Sequence, residues 1–184
     1  SSFVEGLSID DCQLDYLMYS DENQSVASFK SEAGDPHQIY AALKAGYNST
    51  SHADMDIGTF VMEAMGERWF MDLGSDNYNL PEYGKFSNGY AENIGRWNYY
   101  RKRTEGHNTL VVNPNERGGQ DSKSKAQITN YKSSYDGGFA TVDMYDAYDS
   151  YGVTSANRAL MLFDNRSRVL LRDEITCASA SELY

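Results

Sequence analysis

The chain is predicted to be all-β, an antiparallel multi-sheet β-sandwich, on three observations. Apolar and polar residues alternate in short runs, the signature of strands with one face turned inward. Clusters of Gly, Asn, Asp and Pro separate those runs at the spacing of turns. Aromatic residues are abundant and Pro is scarce, with 15 Tyr, 7 Phe and 2 Trp against 3 Pro, a balance that suits pleated, half-buried surfaces. A length of 184 residues fits one domain large enough to bury a core.

Taken in order, the clearest strand candidate is residues 59–65, turned at Gly66-Glu67 and returning through residues 68–72 as a hairpin partner. Further candidates are residues 109–112, 126–131, 139–145, 159–163 and 168–177. Turn signals at Asn113-Pro114-Asn115, Arg117-Gly118-Gly119, Asp136-Gly137-Gly138 and Asp164-Asn165 divide them. In the last run Val169, Leu171, Asp173 and Ile175 share one face, and Arg172 and Glu174 the other, which predicts one side toward water. Residues 73–106 are rich in Gly, Asn and Tyr. A connection that long is expected to be functional or to contain a short helix.

Residues 1–24 read as a lead-in and residues 25–184 as the β-domain. The chain opens on Ser1-Ser2-Phe3, without an initiator Met or a charged leader, and stops at Ser181-Glu182-Leu183-Tyr184 without a turn signal. Both ends are therefore expected to be cuts in a longer protein, with the domain truncated at its C-terminus. The net charge of −11 argues against a nucleic-acid partner. No apolar run approaches the ~18 residues of a membrane-crossing helix. Cys12 and Cys177 lie near opposite ends; one disulfide and two buried thiols are both compatible with their spacing.

Chemistry concentrates at two of the three His. In extended backbone His52, Asp54 and Asp56 project to one side, because side chains alternate. Asp72 returns toward them at the end of the hairpin, and His107 opens the next strand. Carboxylates with an imidazole suit a zinc-like or mixed oxygen and nitrogen site. The same residues also serve, in many proteins, as turn caps and surface groups. His37, in Asp35-Pro36-His37, has only a turn context, and Asn48-Ser49-Thr50 matches a glycosylation sequon. Residues 96–103 interleave Arg96, Arg101, Lys102 and Arg103 with Trp97, Tyr99 and Tyr100. Such a patch can pair with carboxylate or sulfate and stack on sugar faces, with Arg96, Trp97 and Arg101 as the substrate-binding candidates. An edge strand guarded by charge is the other reading.

Three strings, His52-Ala53-Asp54-Met55-Asp56-Ile57-Gly58-Thr59-Phe60, Gly66-Glu67-Arg68-Trp69-Phe70-Met71-Asp72-Leu73-Gly74 and Gly106-His107-Asn108-Thr109-Leu110-Val111-Val112, together resemble the heparinase II/III-like family. Its pattern runs His-x-His-x-Asp-x-(Gly/Ser)-(Ser/Thr)-Phe, then Asp-(Pro/Leu)-Gly after a strand, then His-Asn-Thr-Leu. The resemblance spans residues 25–177. It implies a bacterial, periplasmic or secreted polysaccharide lyase acting on heparin, heparan sulfate, alginate or related uronic-acid polymers, with a helical toroid preceding the β-sheets.

Carried over by position, His52 falls at the catalytic cleft, and Asp54, Asp72 and His107 fall at the three ligands of a divalent metal. Zinc is the expected ion. Asp54 stands where the family has His, a change toward oxygen donors that would suit calcium or manganese. The implied reaction is β-elimination, in which a base takes the proton α to a uronate carboxylate and an acid protonates the departing glycosidic oxygen. His52 is the candidate base or carboxylate neutraliser, with Tyr90 and Tyr99, and behind them Tyr83, as candidate acids from the long connection. The implied partners are an acidic polysaccharide or oligosaccharide and the protein's own N-terminal helical domain, which supplies the principal Tyr. The competing readings are a non-catalytic carbohydrate-binding or structural β-domain, and a metal-dependent hydrolase on a β scaffold.

Overall fold

The computed structural model of the protein describes residues 14–20, 24–84, 95–114 and 119–184. Two antiparallel sheets pack face to face. The first places β1 (Tyr16–Ser20), β2 (Gln24–Lys30), β3 (Tyr40–Tyr47), β4 (Phe60–Ala64) and β5 (Glu67–Phe70) side by side in chain order. Short β6 (Lys125–Ala126) also joins β3. The second sheet runs β10 (Arg168–Cys177), β9 (Val153–Phe163), β8 (Gly137–Asp143), β7 (Ile128–Ser134). One helical turn, α1 (Tyr145–Tyr148), lies between β8 and β9. No helix among the described residues is long and apolar enough to cross a membrane.

The core lies between the sheets. Phe29 and Leu43 of the first sheet, and Ala140, Val142, Leu160 and Leu162 of the second, are each 0% exposed. Burying a large aliphatic or aromatic side chain of this kind contributes about 2 kcal/mol. In β10, Val169, Leu171 and Ile175 pack against this core while Arg168, Leu170, Arg172 and Glu174 face water. The two-faced pattern read from that run is the one the fold uses.

The partner of β3 changes along its length, and that change makes room for the site. Residues Tyr40 to Leu43 pair with β4, whereas Gly46 and Tyr47 pair with β6. Between these partners the 48–59 connection leaves the sheet, carrying His52, Asp54 and Asp56. The β4–β5 hairpin turns at Met65-Gly66, one residue earlier than the sequence suggests. Both residues take left-handed φ, 59° and 80°, as a two-residue turn matched to strand twist requires.

Residues 109–112 do not form a strand. They meet residues 183–184 through an isolated Val112–Leu183 bridge and a reciprocal pair of backbone hydrogen bonds between Val111 and Tyr184. Residues 95–106 are 3-10 turns, Gly95–Asn98, Tyr100–Lys102 and Thr104–Gly106, not an edge strand. β1 lies within the stretch read as a lead-in and pairs with β2 along its length. Cys177 is partly buried and forms no disulfide among the described residues; Cys12 lies outside them.

Candidate functional site

The 48–59 connection folds as turns, so strand alternation does not set its side chains. His52 has φ 66°, a left-handed conformation uncommon for a residue with a Cβ. The connection is held by backbone turn bonds and by the side chains of Gln120 and Thr104. The Gln120 amide, 0% exposed, donates to Ile57 O at 2.7 Å and to Tyr148 Oη at 2.8 Å. Its oxygen accepts from Ile57 N at 2.9 Å and from Asn48 Nδ2 at 3.0 Å. Thr104 Oγ1 donates to Met55 O at 3.0 Å and accepts from Gln120 N at 2.8 Å. Asn48, the sequon asparagine, is 2% exposed and its Nδ2 also donates to Asp121 O, which closes it to a glycan.

Each residue of the His-Asn-Thr-Leu string has a separate task. Asn108 Nδ2 donates to Phe60 O at 3.0 Å and Met71 O at 3.1 Å, tying β4 to the segment after β5. Thr109 Oγ1 donates to Ile57 O at 2.6 Å. Leu110 is buried, and its carbonyl accepts from Tyr148. Arg158 of the second sheet reaches across to Gly58 O at 2.7 Å and Asn108 O at 2.9 Å while its other nitrogens grip Asp173 at 2.7 and 2.8 Å. Gly58 has φ 80°, and a Cβ there would meet Met144 Sδ at 2.2 Å. These bonds hold His107 and the 48–59 connection in fixed relation.

Three ion pairs follow. His107 Nδ1 meets Asp72 Oδ2 at 2.6 Å, with the imidazole side chain 0% exposed. Lys44 grips both oxygens of Asp56 at 2.6 and 2.5 Å. Lys102, 2% exposed, donates to Asp54. Burial drags the His107 pKa down, but the Asp72 hydrogen bond and the nearby Asp56 and Asp54 charges outweigh it, so the imidazole holds its proton more tightly than usual. Its hydrogen bond with His107 holds the Asp72 carboxyl below the ordinary carboxylate range. Burial pushes the Asp54 carboxyl up, further than Lys102 pulls it down.

The donor chemistry does not fit the implied divalent ion. Asp54 accepts from an ammonium through Oδ1, and Asp72 accepts from His107 through one oxygen and from Gly74 N at 2.8 Å through the other. His107 Nε2 is buried with no hydrogen-bond partner among the described residues. Asp54, Asp72 and His107 share one neighbourhood, yet among the described residues no three His, Cys, Asp or Glu are grouped to hold a metal.

His52 stands apart from these pairs, exposed, with Nδ1 2.7 Å from Tyr78 Oη. Their rings meet edge to face at 5.7 Å, and an aromatic row continues from Tyr78 to Tyr83 at 5.1 Å and from Tyr83 to Tyr99 at 6.0 Å. Tyr99 turns its hydroxyl away, donating to Pro81 O at 2.6 Å, and Tyr83 is buried. Tyr90 lies outside the described residues. Tyr78 carries no signal of its own in the sequence, because nothing in its immediate string separates it from fourteen other tyrosines.

Arg96 and Trp97 are buried, Arg96 beneath the His52 turn with Nη1 3.5 Å from Ala53 O. Their 3-10 turn points them inward, where an edge strand would have displayed them. Arg101 is exposed and donates to Leu73 O and Ser75 O. Arg103 pairs with Glu105 at 2.6 Å.

The comparisons with known proteins agree with this architecture. Residues 31–183 match the family model described as heparinase II/III-like, C-terminal. A mutant of heparan sulfate lyase HepC from Pedobacter heparinus is similar with a TM-score of 0.66 and 18% identity, covering 93% of this chain and 23% of that one. HepC itself is similar at 0.64 and 20% identity, covering 91% and 23%. A heparinase III gene product is similar at 0.63 and 18%, covering 92% and 23%. The chain thus spans less than a quarter of the length of these structures, and at such identities they speak for the fold. No curated protein matches. With the family model matched over most of its length, this chain belongs to the heparinase II/III-like family, as a C-terminal β-domain.

Proposed function

We propose that this domain forms one wall of the cleft of a polysaccharide lyase that cleaves a uronic-acid polymer of the heparin, heparan sulfate or alginate type by β-elimination. The observation that carries the reading is the exposed His52–Tyr78 pair, Nδ1 to Oη 2.7 Å. The two groups can share a proton, and the turn beneath them carries His52 in left-handed backbone. An imidazole that accepts a proton, next to a phenol that can pass one on, is suited to taking a proton α to a carboxylate. His52 would act as base or would quiet the uronate carboxylate. Tyr78 would orient the imidazole that takes the proton. Protonation of the leaving oxygen would need a second group facing this wall, which the family resemblance places on a helical domain. A polymer substrate of this kind suits a periplasmic or secreted enzyme.

A non-catalytic carbohydrate-binding domain is the second reading, favoured by the closure of Asp54 onto Lys102. Incubating the intact protein with a panel of uronate polymers separates the two. A lyase produces a conjugated double bond and rising ultraviolet absorbance; hydrolysis releases reducing ends without it, and a binding domain releases neither. Reducing ends without the absorbance, or no product from any uronate polymer, would overturn the lyase reading.

A further inference from the structure

We propose that Lys102 is a built-in counter-cation: its ammonium takes the electrostatic role beside Asp54 that a divalent ion would otherwise fill, so this domain assembles without a metal. The proposal goes beyond the lyase reading and does not depend on it.

The backbone places Lys102 there. Its carbonyl accepts from Met55 N at 3.1 Å, and its own N–H donates to Tyr99 O at 2.9 Å within the 3-10 turn. Two residues on, Thr104 Oγ1 donates to Met55 O at 3.0 Å. Residue 102 is therefore clamped beside residue 55, and its side chain runs inward to the carboxylate of residue 54. The lysine side chain is only 2% exposed, Asp54 is 18% exposed, and the ammonium lies 6.0 Å from the centroid of the Tyr83 ring. A buried ammonium needs a matched partner, because lysine otherwise stays in water or sheds its proton. Asp54 is that partner, and it is the residue at which this sequence departs from the family's His.

The substitution and the lysine explain each other chemically. A histidine at position 54 would offer a metal a neutral nitrogen but would give a buried ammonium no negative charge. An aspartate offers that charge, and Lys102 uses it. The neighbouring carboxylate is matched in the same way, since Lys44 holds both oxygens of Asp56 at 2.6 and 2.5 Å. A divalent ion entering between Asp54 and His107 would lie against ammonium charge already in place, and like charges in a desolvated site repel strongly.

The test is zinc content and thermal melting of the intact protein, purified with zinc and then dialysed. The wild-type protein is expected to retain no stoichiometric zinc and to melt at the same temperature with zinc, with calcium, with manganese or with chelator. Lys102→Met frees Asp54, so it is expected to bind zinc about tenfold more tightly or better than wild type, with a Tm that rises with zinc concentration. One zinc per wild-type chain, removed by chelator with a fall in Tm, would overturn the proposal. So would a folded Lys102→Met whose zinc affinity equals that of wild type. If Lys102→Met fails to fold, the wild-type metal content and melting decide the question alone.

Discussion

Two buried polar regions brace the same connection, and they are finished differently. Around Gln120 the bonding closes: both amide hydrogens are donated, both lone pairs of the oxygen are used, and Tyr148 passes the chain on to Leu110 O. The Tyr148 hydroxyl is buried so completely that its pKa is pushed up to about 12, which suits a group that only donates and accepts. Around His107 the bonding stays open. Nδ1 is committed to Asp72, Nε2 has no hydrogen-bond partner among the described residues, and three carboxylates stand nearby with their cations. A closed network fixes one geometry and is scaffold. An open one, beside the exposed His52–Tyr78 pair, is where the proposed chemistry would sit.

The strongest test of the scaffold side is Gln120→Leu. It orphans the Ile57 N–H and strips a bond from each of three other partners, so it should cost about 3 kcal/mol and lower Tm by ~10 °C. Thermal unfolding would show this. A Tm within ~2 °C of wild type would mean water replaces the amide and the network is not closed.

Tyr78→Phe is aimed at the open side. Loss of one hydrogen bond to the imidazole, about 1.4 kcal/mol, should reduce kcat roughly tenfold in the intact protein and shift its pH profile, with little change in KM. A raised KM with unchanged kcat would instead make Tyr78 a sugar platform.

A smaller effect concerns pH. His107 titrates above its ordinary value of 6.5, so its pairing contributes fully below that value and fades as pH climbs through the raised pKa. Asp72 titrates below its ordinary 3.8, so its contribution is present above 3.8 and is lost as pH falls through the lowered pKa. Asp72→Asn should therefore destabilise by on the order of 1 kcal/mol near pH 6, with the difference shrinking as pH is raised through the elevated His107 pKa. A difference that grows with pH would contradict the assigned pairing.

How much of this was legible depended on the kind of signal. The β10 faces and the β4–β5 hairpin declare themselves through alternation and a turn glycine. β2 and β3 do not, because Ala41, Ala42 and Ala45 carry little strand preference and β3 is buried on both faces. The return of Asp72 toward His107 is legible from the β4–β5 hairpin, although His107 opens no strand. The common facing of His52, Asp54 and Asp56 was not realised, since alternation holds only in extended chain and His52 is left-handed. Gln120 gave no local signal at all: its four partners come from residues 48, 57 and 148, and only the fold brings them together. Lys102 was visible as charge, but its inward course depends on a 3-10 turn that no periodicity marks.

The most direct test is His52→Asn in the intact protein, with kcat and Tm measured on the same preparation. Asn tolerates left-handed backbone, so the turn should survive. The expected result is a loss of kcat of about 10²–10⁴ on a uronate polymer, the range for an acid–base group, with Tm unchanged. Retained kcat together with a lowered Tm would make His52 scaffold and would remove the open region from the chemistry.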